Sequence, residues 1–429
     1  MEPATRRERT TAVPDVVNTE AVLSVVGVGS ARSRAAVARR LGLSRTTIST
    51  IVGKLMSLGL VAEKSARRKG RGRPGIDLDL DDSRWRAVGA EYHSGRWSFV
   101  ATDLKGAIVR SETLVVDGAD PDAFLDSLVS GLRGFIAGIP EGILPAVGIG
   151  APGLVDCDRG IIVRADDLCW KSVAVGEAVE KALGLEALLI NRNRASGLAE
   201  ARFGAGRGVH SLVYIGIGTG ISAAFINDGV LMNGSSYSAG EIGHVVMDTA
   251  GPVCGCGKRG CLQVYSSGSA MGARAAARID SGRASSLAAQ LSPAVGRSSS
   301  ARRDSRIAGE AVCLAAAAGD ELALECVAEA AHFLGLGAAN IITSLNPDKV
   351  VIGGPIGLVD GPLVDLIREE AARWAMPDAF EVVTIERGQL GDYVGALGAA
   401  CRVLDNKLQL ALAATSGETG FATPRPGVI

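Results

Sequence analysis

Ser44-Arg45-Thr46-Thr47-Ile48-Ser49-Thr50-Ile51-Val52-Gly53-Lys54-Leu55-Met56-Ser57-Leu58 reads as one helix with two chemically distinct sides. Ile48, Ile51, Val52, Leu55 and Leu58 recur at helical spacing and make an apolar stripe for a core. Arg45, Thr46, Thr47, Ser49, Thr50 and Lys54 fall on the outer face, a set of short hydrogen-bonders and cations. Ser44 stands where an N-cap is expected. A helix with that chemistry at its amino end suits the DNA major groove, where base edges offer donors, acceptors and thymine methyls. The plainer reading is a three-helix bundle with a polar face.

The flanking residues favour the DNA reading. Upstream, a helix capped by Asn18 or Thr19 carries Val22, Leu23 and Val26, and a second runs from Ser33 through Val37, Ala38 and Leu41 to a left-handed stop at Gly42. Downstream, Leu60-Val61-Ala62-Glu63 reads as a strand and Ile76 to Leu80 as its return. Between them Arg67-Arg68-Lys69-Gly70-Arg71-Gly72-Arg73-Pro74-Gly75 is a basic turn, or wing. Arg71 and Arg73 are placed to meet phosphates or a narrow minor groove. Residues 30 to 75 hold twelve Lys or Arg against one acid, Glu63, a net of +11 that leaves −12 for the rest of a chain whose total is −1. Residues 15–82 are therefore expected to form a winged helix-turn-helix that binds operator DNA.

With 429 residues the chain has room for two or three domains. No stretch approaches the roughly 20 uninterrupted apolar residues of a membrane span, and the first thirty residues lack the order of a secretory signal. A cytoplasmic protein is expected. Ala87 to Glu91, Trp97 to Asp103 and Ile108 to Val115 read as successive strands, followed by a helix over Pro121 to Ala137. A second set begins with Leu212 to Ile217 and Ile221 to Ile226, closed by the turn Asn227-Asp228-Gly229. The expectation is an α/β body over 85–410, made of two lobes with a cleft between them, and a disordered tail over 413–429.

Gly240-Glu241-Ile242-Gly243-His244 precedes Cys254-Gly255-Cys256-Gly257-Lys258-Arg259-Gly260-Cys261. His244, Cys254, Cys256 and Cys261 make a complete tetrahedral zinc set, and the glycines let a short loop bring them together; the closed set points to a structural Zn2+ rather than a catalytic one. With Gly150-Ala151-Pro152-Gly153-Leu154-Val155-Asp156, the Gly216 to Gly220 turn and Val350-Val351-Ile352-Gly353-Gly354, this motif resembles the ROK family of bacterial repressors and sugar kinases. The amino-terminal module matches the repressor branch. The resemblance covers nearly the whole chain and implies a sugar-kinase-like, actin-like two-lobed fold.

Measured against that family, the kinase chemistry is missing. The kinases carry their catalytic aspartate in an Asn-Asp-x-Asn segment, and here the matching stretch, in register from Leu198-Ala199-Glu200, is Asn191-Arg192-Asn193-Arg194. Arg192 replaces the base, and a guanidinium accepts no proton near neutral pH. Where the kinases have an Asp-x-Gly-Gly-Thr phosphate loop, this chain has Glu91-Tyr92-His93-Ser94-Gly95. In the sugar pocket that the resemblance implies, Asp167 stands for an asparagine and Gln263 for a glutamate, while Glu241 and His244 remain. Two readings of Arg192 stay open: an ion pair with Glu241 or Asp167 across an empty cleft, or, together with Arg194, a contact to an anionic sugar.

The expectation is thus a regulator, a repressor by its branch, that binds operator DNA and a sugar-like effector, acts as a homodimer or higher oligomer, and has no kinase activity. Its rivals are an ATP-dependent sugar kinase with an appended DNA-binding module and a constitutive DNA-binding protein with a vestigial cleft.

Overall fold

The computed structural model describes residues 14–416 except 28, 66–75, 94, 117–119, 166–167 and 289–300. The amino-terminal module comprises α1 (Pro14–Gly27), α2 (Arg34–Leu41), α3 (Arg45–Ser57) and the antiparallel pair β1 (Val61–Ser65) and β2 (Ile76–Leu80). Local chemistry sets most of its boundaries. Ser33 caps α2 by accepting from Ala36 N, Gly42 ends it at φ 66°, and the Ser44 hydroxyl accepts from Thr47 N. The first helix departs from expectation, starting at Pro14 rather than at Asn18 or Thr19. Proline suits a first turn, and Thr19 is fully buried inside the helix instead of capping it.

Lobe one contains β3 (Trp85–His93), β4 (Arg96–Thr102), β5 (Ile108–Val115), α4 (Pro121–Ala137), β6 (Gly142–Ala151), β7 (Leu154–Asp156), β8 (Ile161–Ala165), β9 (Trp170–Val173), α5 (Val175–Leu183) and β10 (Glu186–Asn191), followed by α6 (Arg192–Phe203). Lobe two contains β11 (Ser211–Ile217), β12 (Ile221–Asn227), β13 (Val230–Leu231), α7 (Leu262–Ser266), α8 (Gly268–Asp280), α9 (Ala301–Ala317), α10 (Glu321–Leu345), β14 (Lys349–Gly353), α11 (Gly354–Gly357), α12 (Leu363–Trp374), α13 (Pro377–Val382) and β15 (Thr384–Arg387). The chain continues into α14 (Val394–Asp405) and α15 (Lys407–Ser416).

The two lobes repeat one plan. Lobe one orders its strands β5-β4-β3-β6-β10 and lobe two β13-β12-β11-β14-β15; each sheet opens with an antiparallel meander and adds two parallel strands. Asp228 (φ 49°) and Gly229 (φ 74°) make the left-handed turn expected between β12 and β13. Apolar residues behind each sheet form separate cores, led by Trp97, Phe99, Phe124 and Phe135 in lobe one and by α10 in lobe two. By length and composition α10 could span a bilayer, but most of it is buried in that core.

Each lobe sends its last helix across to the other. From β10, α6 packs on lobe two, where an ideal Cβ on Gly197 would lie 2.6 Å from that of Ala224. From β15, α14 returns to lobe one so closely that ideal Cβ atoms on Gly89 and Gly148 would come within 2.1 Å of Ala396 O and 1.9 Å of Ala399 O. The two helices cross at Gly398, whose ideal Cβ would lie 1.7 Å from Ala195 O. Beyond them α15 is helical through Ser416, so the first four residues of the expected tail, 413–416, belong to a helix. Its Leu408, Leu410 and Ala411 are buried in a third core shared with Val22, Leu23 and Leu55 of the module and Trp85 and Leu144 of lobe one. Apolar contact there takes these side chains out of water and seats α15 on the module. Residues 417–429 lie outside the described residues.

Candidate metal centre, ligand cleft and nucleic-acid interface

The metal candidates converge. A short 3₁₀ turn, Ile242–His244, presents the imidazole, and the following loop closes on itself through Cys254 N to Lys258 O (2.7 Å) and Gly257 N to Cys254 O (2.9 Å). Only glycine fits at 260, at φ 64°, where an ideal Cβ would lie 1.6 Å from Asp248 O. The ligand atoms of His244, Cys254, Cys256 and Cys261 all lie within 4.8 Å of one another. Cys256 Sγ and Cys261 Sγ are 3.7 Å apart, and so are Cys254 Sγ and His244 Nδ1. Zn–S bonds of about 2.3 Å at tetrahedral angles imply a sulfur–sulfur separation of about 3.8 Å, so the four residues fit that ion. Burial and the two neighbouring sulfurs push the Cys261 thiol up to about 12; three thiolates share this space only around a cation. Gln263 Nε2 donates to Cys254 Sγ at 3.3 Å, which places this residue beside the sulfur cluster.

The carboxyl ends of the parallel neighbours β6 and β10 mark the candidate ligand cleft, being the side on which open α/β sheets bind ligands. Asn191 caps α6 by accepting from Asn193 N and Arg194 N, and its Nδ2 donates to Gly153 O at 2.8 Å. Asn193 Nδ2 donates to Ser222 Oγ on β12, so the first turn of α6 touches both lobes. Arg192, on that turn, is half-buried, and its guanidinium has no hydrogen bond or ion pair with any described residue, Glu241 included. Asp167 lies outside the described residues. Arg194 differs sharply: it is buried, and its guanidinium donates to Tyr237 O and to Ala239 O (2.6 Å). Burial pulls its pKa below the usual arginine value, with Glu241 pushing the other way. Arg194 thereby holds the segment leading into Glu241 and His244. Glu241, which begins the 3₁₀ turn, is half-buried.

Of the drifted phosphate loop, Ser94 lies outside the described residues and Glu91 is placed. Glu91 is buried at the end of β3 with its carboxylate against the first turn of α14, where an ideal Cβ on Gly395 would lie 2.2 Å from the carboxyl carbon. A carboxylate at a helix amino end is favoured by the helix dipole.

On the module, Arg45, Thr46, Ser49 and Thr50 are exposed along α3, while Thr47 and Lys54 are half-buried. Thr47 Oγ1 also shares a hydrogen bond with Ser44 Oγ at 2.8 Å, tying it to the cap. Arg34 is occupied internally, bonding Glu63 on β1 at 2.9 Å and Ser49 O at 3.3 Å, which fixes α2, α3 and the wing strand together. Arg71 and Arg73 lie outside the described residues. Sequence reasoning missed the docking of this module on the body. Trp85 Nε1 donates to Leu58 O at 2.7 Å and Arg84 to Ser57 O at 3.0 Å, so the carboxyl end of α3 is held by the first residues of lobe one. Lys105 adds ion pairs to Asp79 (2.8 Å) and Asp82 (2.9 Å).

Comparison with known proteins places this architecture. The ROK family pattern matches residues 95–406. A putative xylose repressor from Caldicellulosiruptor sp. (strain Rt8B.4) is 27% identical over 380 residues, covering 88% of this chain and 92% of its own length. The crystal structure of a ROK family transcriptional regulator, described as a homologue of the Escherichia coli Mlc protein, superposes with a TM-score of 0.78 at 26% identity, covering 93% of this chain and 99% of that one. A ROK glucokinase from Streptomyces griseus, solved with glucose and AMPPNP, gives 0.63 at 28% identity and covers 74% of this chain and 98% of its own. The regulators thus align over more of the chain than the kinase does.

Proposed function

The chain belongs to the ROK family, and we propose that it is a sugar-responsive DNA-binding repressor whose kinase-like body binds its effector without phosphorylating it. The observation that carries the reading is the pairing of a docked winged module with an arginine at the position of the catalytic base. Arg192 cannot take a proton from an attacking hydroxyl. Glu91 opposes a nucleotide as well, because its carboxylate already lies at the amino end of α14 and repels phosphates. These two departures support a regulator over a kinase with an appended module.

Each group in the cleft has an assigned role in this proposal. Glu241 and His244 bind hydroxyls of the sugar, His244 through the ring nitrogen that faces away from the sulfurs. Arg192 binds a carboxylate or phosphate on the effector, an assignment supported by its unpaired guanidinium among the described residues. Arg194 positions the wall of the cleft rather than the ligand. Asp167 and Gln263 complete the pocket by their places in the sequence. A Zn2+ held by His244, Cys254, Cys256 and Cys261 supplies no chemistry to a reaction; it fixes the loop that carries His244. On DNA, Arg45, Thr46, Thr47, Ser49 and Lys54 meet the major groove, with Arg71 and Arg73 on the backbone or minor groove. A homodimer or higher oligomer presents two modules to a two-fold operator in the cytoplasm.

Thermal-shift titration with D-xylose, D-glucose, D-gluconate and glucose 6-phosphate tests the cleft. A native-state ligand raises the melting temperature, and the anionic pair is expected to do so more strongly. Arg192→Ala is expected to remove that preference. ATP-dependent turnover on the order of 1 s⁻¹ with any of them would overturn the reading in favour of a kinase.

A further inference from the structure

We infer that α14 and α15 form a positioning strut that couples the cleft to the DNA-binding module, with α6 as its input rod; the inference rests on the repressor reading above. The geometry is continuous from end to end. The first turn of α6 carries Asn191, Arg192 and Asn193 at the cleft, and its twelve residues span about 18 Å to the opposite end. There Arg202 bonds Asp405, the last residue of α14, at 2.6 Å. Midway, Gly398 lets α14 lie directly on the main chain of α6 at Ala195. Glu200, almost fully buried, ties the rod to the segment leading into α14 by accepting from Ala205 N and Leu390 N, each at 2.8 Å. A change in the angle between the lobes, which α6 and α14 both cross, therefore cannot leave the end of α14 where it was.

The output end is equally constrained. A single residue, Asn406, separates α14 from α15, and its side chain donates back to Arg402 O at 2.8 Å while Lys407 Nζ donates to Leu404 O at 3.0 Å. The elbow is thus pinned by its own side chains. Beyond it, Leu408, Leu410 and Ala411 share a core with Val22, Leu23 and Val26 of α1, and Gln409 hydrogen-bonds Glu20 across the same contact. The module is held from two sides, by α15 on α1 and by Trp85 and Arg84 on the end of α3. A shift of α15 against fixed Trp85 must rotate the module or break one of the two contacts.

Hydrogen exchange on the full chain, with and without a random-sequence 24-base-pair duplex at low salt, tests the strut without knowledge of effector or operator. Wild type is expected to show slowed exchange in 394–412 and 192–203 as well as in the module, by about fivefold or more, the low end of usual coupling factors. In Leu408→Ala/Leu410→Ala, and more mildly in Gln409→Ala, protection is expected to shrink to residues before 82 while duplex affinity changes less than about twofold. Should the double variant not fold, the wild-type comparison decides alone. Wild-type protection that ends at Leu80 overturns the strut and leaves the repressor reading intact. A protein that binds no duplex overturns both.

Discussion

Gly398→Ala adds one methyl group where α14 crosses α6, and the consequence follows from the geometry. An ideal Cβ there lies 1.7 Å from Ala195 O, 2.2 Å from its carbonyl carbon and 2.8 Å from its Cα, all main chain. Ordinary contact begins near 3.4 Å, so the helices must part by roughly 1.7 Å. Neither is free to do so, because α14 is seated against β3 at Gly89 and β6 at Gly148 with equally little space. Overpacking costs about 1–3 kcal/mol where side chains can yield; against main chain alone the loss is expected at or above about 3 kcal/mol. Gly53→Ala is the matched control. Gly53 lies on the exposed side of α3 with nothing within 4 Å of its ideal Cβ, and alanine is expected to stabilise that helix by up to about 1 kcal/mol. Urea unfolding followed by fluorescence of the four tryptophans should shift the midpoints in opposite directions. A Gly398→Ala protein within about 0.5 kcal/mol of wild type would refute the close crossing.

Elemental analysis should find about one zinc per chain, and Cys256→Ser or a strong chelator should lower the melting temperature, since metal-binding energy is folding energy; a metal-free preparation of full stability would contradict the assignment. Trp85→Phe keeps most of the buried ring but leaves Leu58 O without its donor, and should cost about 1–3 kcal/mol in calorimetry; an unchanged transition would mean the module is not held there. Ser49→Ala should reduce preference for a selected operator over random duplex by about 1–3 kcal/mol, whereas Arg73→Ala should weaken both duplexes alike and lower the salt slope by about one unit; the reverse pattern would move specificity into the wing.

Elements stabilised by neighbours in the chain were legible from residue types. Ser33, Gly42 and Ser44 bound α2 and α3 as their cap chemistry requires, and Pro121–Ala137 is helical over the expected range. The four metal candidates converge because their spacing and glycines constrain a local loop. Features that depend on distant partners were not legible. Residues 413–416 were expected in the tail, and the helix that includes them, α15, reaches its buried setting only against α1 and lobe one. Arg194 looks like a ligand contact until the carbonyls of Tyr237 and Ala239, more than forty residues away, are seen to take its guanidinium. Thr19 looks like a cap because its burial depends on a helix that had already begun at Pro14.

The most direct test of the central claim is an anisotropy titration of a duplex that the protein itself selects from a random library, with and without D-xylose, D-glucose, D-gluconate or glucose 6-phosphate, while ADP is followed in parallel samples containing ATP-Mg. At least one sugar is expected to change duplex affinity by about fivefold or more, with no ADP above background. Duplex affinity indifferent to every sugar, together with turnover on the order of 1 s⁻¹, would contradict that claim.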